Sequence, residues 1–474
     1  MHESPISVFD ELVAAKPTIE GRILFETACV LGGSVAGLLA ARVLSDYARE
    51  VVIIERDDVS TDGRSRHGTP HDQQVHTLLP AGRRWIERWL PGFIWDARDL
   101  GAVVSEVDAT FTSFDGHRQA ISGDASHGFL LASRPFLEAR IREHVLDLPN
   151  VRVLQARATG LEFRDSAVSA VRHVDSGGTA GTLEADFVVD AMGRSSRLAD
   201  WLSQHGFERP VLERLKAPIN YATALFERST PSADLKVASA LAIFSAPEPA
   251  AGNVSIAAAN AIEGNQWLVM LMGYGDDKPG QTIEEFRQSC AKLPEVFGEA
   301  TRGAVTRDVV TYHQDESRRR DFGALHSFPA RLVSVGDAVA SFNPIYGQGM
   351  SSAALHASCL ASFLADAADL TVAATEFFRL QQVVVDAAWA ISAGGDRARL
   401  DAASGVEAPE DVRRQRSALQ QVIGATLVDA DVARAFNNVS YMLRHPATLG
   451  EPALLEKAVS AVQAASRPPT PSAH

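Results

Sequence analysis

Two glycine turns, far apart in the chain, carry residues whose types and spacing can do chemistry. The first reads Gly32-Gly33-Ser34-Val35-Ala36-Gly37 and follows the apolar run 28–31. A leading glycine allows a tight turn off a strand, and a closing one lets the next helix pack on that strand. Ser34 stands where a GxGxxG motif has its middle glycine; its hydroxyl can itself donate to a phosphate. A helix start at this turn offers unpaired N–H groups and partial positive charge to an anion. Glu55 lies 18 residues beyond Gly37. There a carboxylate accepts both hydrogens of a ribose diol and repels a 2′-phosphate. Turn and carboxylate together point to a dinucleotide.

The second stretch, residues 335–350, reads Val-Gly-Asp-Ala-Val-Ala-Ser-Phe-Asn-Pro-Ile-Tyr-Gly-Gln-Gly-Met. Asp337 follows an apolar run and a glycine, so its carboxylate can reach a bound polyol. Pro344 holds the start of the loop, and Gly347 and Gly349 expose backbone N–H groups where the next helix opens. Such a nest stabilises negative charge, which a reduced flavin carries at its pyrimidine end.

Positioning these groups requires an α/β scaffold. Runs 28–31 and 51–54 read as strands around a helical stretch, 35–46, a βαβ start. The pattern predicts a helix over 134–146, a strand over 183–189, strands from 217 to 275 and a strand over 332–335. Beyond Ser351 the chain reads as helical, with breaks near Gly394-Gly395 and Pro409. The fold class is α/β: a Rossmann-like, discontinuous nucleotide-binding domain at 23–100, 130–205 and 325–370, with a β-sheet substrate domain at 101–129 and 206–324. Residues 371–465 are expected as C-terminal helices, 1–22 as a leader with a short docking helix near 8–13, and 466–474 as a frayed tail.

Composition narrows the function. The 474 residues carry a formal net charge of −14, which disfavours nucleic acid as a partner. Cys29, Cys290 and Cys359 form no CxxC pair, so neither a disulfide framework nor a metal site is expected, and a reducing, cytoplasmic compartment fits. No apolar run reaches the ~18 residues of a membrane span.

The combination of residues 30–38, Glu55-Arg56, Gly336-Asp337-Ala338, Pro344 and Gly347-Gln348-Gly349 resembles the FAD-dependent aromatic hydroxylase superfamily, with its para-hydroxybenzoate-hydroxylase-like fold. The resemblance implies that Glu55 holds the adenosine ribose, Asp337 the ribityl chain, and Gly347 to Met350 the flavin's pyrimidine edge. Arg134 matches a helix-start arginine that contacts FAD in that family. The segment 66–79 is similar to the branch containing the lasalocid epoxidase: Arg66, Gly68, Pro70 and His76 fit, while His71 stands for a usual Gln and Gln74 for a usual His. Met192 stands where many aromatic hydroxylases have the Asp of an Asp-Gly pair.

The activity that this resemblance implies is that of an FAD-dependent monooxygenase, an epoxidase or hydroxylase, using dioxygen and NAD(P)H through a flavin C4a-hydroperoxide. The sequence displays no compelling base; His71, His76 and Tyr346 are candidates by proximity to the motifs only. A bulky, mostly apolar natural-product intermediate, as in antibiotic biosynthesis, is the expected substrate. The alternative is an FAD-containing cyclase of the same fold that forms decalins by [4+2] cycloaddition in spirotetronate-type pathways, with a passive flavin; a flavoprotein that binds a ligand without turnover is a third reading. Arg194 and Arg197 read equally as phosphate ligands or solvated groups. The run Arg318-Arg319-Arg320 reads as a solvated stretch, and Trp267 as core.

Overall fold

The computed structural model describes residues 4–17, 22–58, 62–228, 236–365 and 369–466. The tail expected at 466–474 lies outside them except for Ser466.

The first sheet runs, in spatial order, Leu332–Ser334, Phe187–Asp190, Phe25–Leu31, Ala48–Glu55, Val151–Arg164, Ala167–Asp175 and Ala180–Glu184. Its first five strands are parallel neighbours. The inner strands centre on aliphatic runs such as Val51-Val52-Ile53-Ile54, all buried, as a parallel sheet covered on both faces requires. Helices Val35–Leu44 and Gln348–Ala365 pack on each other over this sheet. Helix Pro5–Ala14 docks the leader through buried Val8, Phe9 and Leu12. Three parallel strands end side by side, so the loops after Leu31, Asp190 and Ser334 converge where α/β sheets bind ligands. The approach is close: a Cβ on Gly32 would lie 2.5 Å from the Ala191 carbonyl oxygen, and one on Gly336 would lie 2.6 Å from the Ala36 Cβ.

The second sheet runs Ala340–Ser341, Val305–Asp321, Val211–Glu227, Gln266–Tyr274, Val254–Ile262, Ser239–Glu248, Thr110–Phe114 and His117–Arg118. Period-two alternation splits its faces. Trp267, Val269 and Leu271 join the main core, so Trp267 is core as expected. Met270 and Met272, with Ile219, Tyr221, Ile256 and Ala258, form a separate apolar face. Arg319 leaves the end of its strand for Glu213 and Asp386 and lies over the Trp389 ring.

Two expectations are corrected. The strand over 183–189 is two strands, Ala180–Glu184 at the sheet edge and Phe187–Asp190 near its centre. Asp186 makes the break, because its carboxylate accepts from the Glu26 and Thr27 amides at 2.9 and 3.0 Å. Nor does the chain break at Gly394-Gly395: helix Thr375–Ser404 runs through both. Two glycines in a 30-residue helix cost only ~1 kcal/mol each, and Gly395 has a packing reason, since a Cβ there would collide with the Tyr346 hydroxyl. The helix ends at Gly405, φ 65°. Helices Glu410–Thr426, Ala430–Ser440 and Pro452–Ala465 then build a small core of their own around Val422, Ala425, Val432 and Ala458. Among the described residues no helix is long and apolar enough to cross a membrane.

Candidate functional site

One cavity of about 1760 Å³ joins the converging loops to the apolar face of the second sheet and the C-terminal helices. Its loop end is lined by Gly32, Ser34, Ala36, Glu55, Arg56 and Arg66, and Asp337 also lines it. Leu241, Ile256, Met270, Leu419 and Phe436 line its sheet end.

At the loop end the charges are interlocked. Glu55 accepts from the Gly33 amide at 2.7 Å and the Asp57 amide at 3.0 Å. Arg66 bonds Asp57 at 3.2 Å and Glu138 at 2.7 Å. Glu138, which the sequence pattern did not single out, is the hub: it also takes Arg134 at 3.1 Å, Arg142 at 2.6 Å and the Ser34 hydroxyl at 2.6 Å. Burial alone would raise its carboxyl, but Arg134, Arg66 and Arg142 outweigh that and hold it down to about 2. Its signal was present: Arg134, Glu138 and Arg142 recur every four residues, on one face of helix Arg134–Leu146. The Ser34 hydroxyl, which could also donate to a phosphate, here donates to Glu138.

The second loop is held from behind. His356, buried on helix Gln348–Ala365, accepts the Gly336 amide at its Nδ1, 2.9 Å away. Burial presses its imidazole down to about 3, so it stays neutral and serves as an acceptor. Asp337 makes no hydrogen bond to any described residue and faces the cavity, half-buried. Burial pushes its carboxyl above the ordinary range against the pull of Arg194, Arg134 and Arg318. The Gly347 amide is not free, since it donates to the Pro344 carbonyl at 2.9 Å and Gly347 sits at φ 65°. The available donors are the amides that open helix Gln348–Ala365, those of Gln348, Gly349 and Met350. Pro344, Gly347, Gly349 and Met350 line the cavity; the Gln348 side chain is buried with neither amide atom bonded. A Cβ on Gly349 would meet nothing within 4 Å.

His71, His76 and Tyr346 all line the cavity, with the two imidazole centroids 5.3 Å apart. Burial lowers both: His71 goes to about 4 and His76 well below its ordinary value, with Arg134 adding to each. His76 Nδ1 lies 3.0 Å from the Gln74 carbonyl, so that nitrogen carries the proton and Nε2 is an acceptor. The Tyr346 phenol is raised by burial. The chain thus offers neutral imidazoles and no phenolate. Gln74 is structural, since its amide oxygen accepts from Thr223 at 2.5 Å. Tyr312, missed from sequence, reaches the cavity beside His71, ring centroids 6.1 Å apart. Arg194 lines the cavity, held by the Ser341 hydroxyl at 2.6 Å, whereas Arg197 also lines it but is largely exposed beside Asp200. The run 318–320 does not line it.

A further unforeseen group fastens the loop to the long helix. Asn343 donates its amide N–H to the Ser392 hydroxyl at 3.0 Å and its side-chain Nδ2 to Asp396 at 2.7 Å, while its Oδ1 caps Ile345 at 3.2 Å. Burial raises Asp396 to about 6, against the Asn343 hydrogen bond and Arg399.

Residues 130–373 match the FAD binding domain family. A Mycobacterium tuberculosis protein, Rv3254, is 32% identical over 86% of this chain and 88% of its own length. The chain belongs to the FAD binding domain family. Kynurenine 3-monooxygenase of Salinispora tropica is 26% identical over 69% of this chain and 70% of its own. Among solved structures, p-nitrophenol 4-monooxygenase PnpA of Pseudomonas putida shares the fold at 18% identity and TM-score 0.60, covering 89% of this chain and 99% of that one. The Diels-Alderase PyrE3 of pyrroindomycin biosynthesis shares it at 15% identity and TM-score 0.55, covering 88% of this chain and 80% of that one.

The residues present suit the family's cofactor. An unpartnered carboxylate at Asp337 matches a polyol, and open space over Gly349 beside helix-opening amides matches a flat ring edge that becomes anionic. For Asp337→Ala we expect FAD bound about tenfold to a hundredfold more weakly, since a hydrogen bond to a charged acceptor contributes ~1.5–3 kcal/mol. Fluorescence titration of the apoprotein with FAD checks this; unchanged affinity rejects the contact.

Proposed function

We propose that this flavoprotein is a monooxygenase, an epoxidase or hydroxylase, acting on a bulky, mostly apolar natural-product intermediate, with NAD(P)H as reductant. The observation that carries this reading is the continuous cavity running from the FAD-family loops to the apolar sheet end lined by Met270 and Leu419. When bound and reduced, FAD supplies the activation of dioxygen. The chain's own part is positioning and exclusion of water. Glu55 and Asp337 would hold the ribose and the ribityl hydroxyls. Arg56, Arg66 and Arg134 would border the nucleotide end, the latter two through the Glu138 hub, with Gly32, Gly33, Ser34, Ala36 and Gly37 shaping the turn. Pro344, Gly347, Gln348, Gly349 and Met350 would present helix amides to the pyrimidine edge. The two sheets and C-terminal helices would divide as nucleotide-binding, substrate-covering and closing parts.

Neutral His71 and His76 suit a reaction in which no strong base is required. That favours transfer of oxygen to an alkene or an activated ring. The same feature favours the second reading, a cyclase working by confinement, as does the shared fold with PyrE3. Holoprotein given NAD(P)H, candidate polyenes and isotopically labelled dioxygen separates the two. We expect one labelled oxygen atom per product. A product of unchanged mass, formed equally without reductant or oxygen, establishes the cyclase instead.

A further inference from the structure

The sheet end of the cavity is apolar but holds cations, and their partners differ. Arg397 pairs with Glu213 at 2.9 Å and Arg416 with Asp401 at 2.7 Å. Arg399 also lines the cavity, yet forms no ion pair among the described residues. Its guanidinium lies over the Tyr274 ring, 4.8 Å from the centroid, and donates one hydrogen bond, to the Phe244 carbonyl at 3.3 Å. A guanidinium has five N–H donors in a planar fork, so most of its capacity is unspent. Asp396 attracts the guanidinium but forms no ion pair with it and accepts from Asn343, and Asp115, an acid of the cavity lining, accepts from the Ser245 amide and hydroxyl at 2.7 and 2.6 Å. The same cavity is lined by Leu241, Ile243, Ala398, Ala402 and Leu419. A stacked, partly desolvated guanidinium facing an apolar space is preorganised for a bidentate carboxylate.

We propose that Arg399 anchors a carboxylate at one end of an otherwise apolar substrate, so that this protein takes amphipathic acids rather than neutral hydrocarbons. The anchor makes Arg399 specificity-determining: held at the helix Thr375–Ser404, the acid end leaves the apolar body along the Met270 face toward the Pro344–Tyr346 loop. This rests on reading the sheet end as the substrate site.

The test uses FAD-loaded protein at about pH 8, titrated with dodecanoate and with dodecan-1-ol, and reads the shift of the flavin's visible band. We expect dodecanoate to bind about tenfold or more tightly than the alcohol. Arg399→Gln should abolish that preference while leaving alcohol binding unchanged, and Arg399→Lys should restore part of it. Equal affinities in the unaltered protein, or a preference that survives Arg399→Gln, overturns the anchor and leaves the cavity's role standing. If neither compound binds, both the anchor and the substrate-site reading fall.

Discussion

Gly349→Val protein should purify folded and colourless. The position is suited to separating binding from folding, because a Cβ there meets nothing within 4 Å and the residue opens a helix. Apoprotein stability should therefore stay within about 0.5 kcal/mol of the parent. The added isopropyl group projects into the cavity, where the flavin edge would lie against the helix amides. Overpacking costs about 1–3 kcal/mol, and each displaced amide contact ~1 kcal/mol more. FAD affinity should thus fall on the order of a hundredfold or more. Thermal melting of the apoprotein and FAD titration measure the two effects separately. A yellow Gly349→Val protein with parental affinity would show that the flavin does not approach this helix.

The second large effect is on stability. Glu138 is buried among Arg66, Arg134 and Arg142. Glu138→Gln keeps the volume and removes the charge, leaving the guanidiniums to repel each other out of water. Breaking a buried ion pair on one side costs about 3–5 kcal/mol, and urea unfolding of the apoprotein should show that loss. Its pH dependence has a definite sign. Folding lowers Glu138 from 4.5 to about 2, so its contribution is complete above pH 4.5 and fades as pH falls toward 2. That window is worth roughly 3 kcal/mol, and Glu138→Gln should flatten it. An unfolding midpoint equal to the parent's at neutral pH would mean the arginines find other partners.

Glycine spacing and the terminal carboxylate made the turn at Gly32–Gly37 and Glu55 legible, because backbone geometry at a tight turn restricts residue type. Helix Arg134–Leu146 was legible to its ends, since Ser133 caps it by accepting from the Phe136 amide and Pro135 starts it. Other features were not. In the run 183–189 Glu184 and Asp186 alternate with apolar residues as in one strand, and only the two bonds of Asp186 to the neighbouring strand show it to be a break. Gly394-Gly395 looked like a stop, because a local pattern cannot reveal that the Tyr346 hydroxyl arrives from elsewhere. Tyr312 alternates along its strand like any other residue.

The sequence by itself determined the FAD-binding family and the places of the glycine turn 32–37, Asp337 and the loop 344–350, all of which depend on neighbours within a few residues. Tertiary structure decided what those groups are bonded to. It committed Ser34, Arg66 and Arg134 to Glu138 and spent the Gly347 amide on Pro344. It set His356 behind Gly336 and Asp396 behind Asn343, and it left Asp337 and Arg399 facing the cavity without a carboxylate or donor of their own. The physical reason is range: a turn or a helix cap is set by adjacent dihedrals and side chains. A buried charge instead takes whichever partner the packed strands and helices bring within about 3 Å.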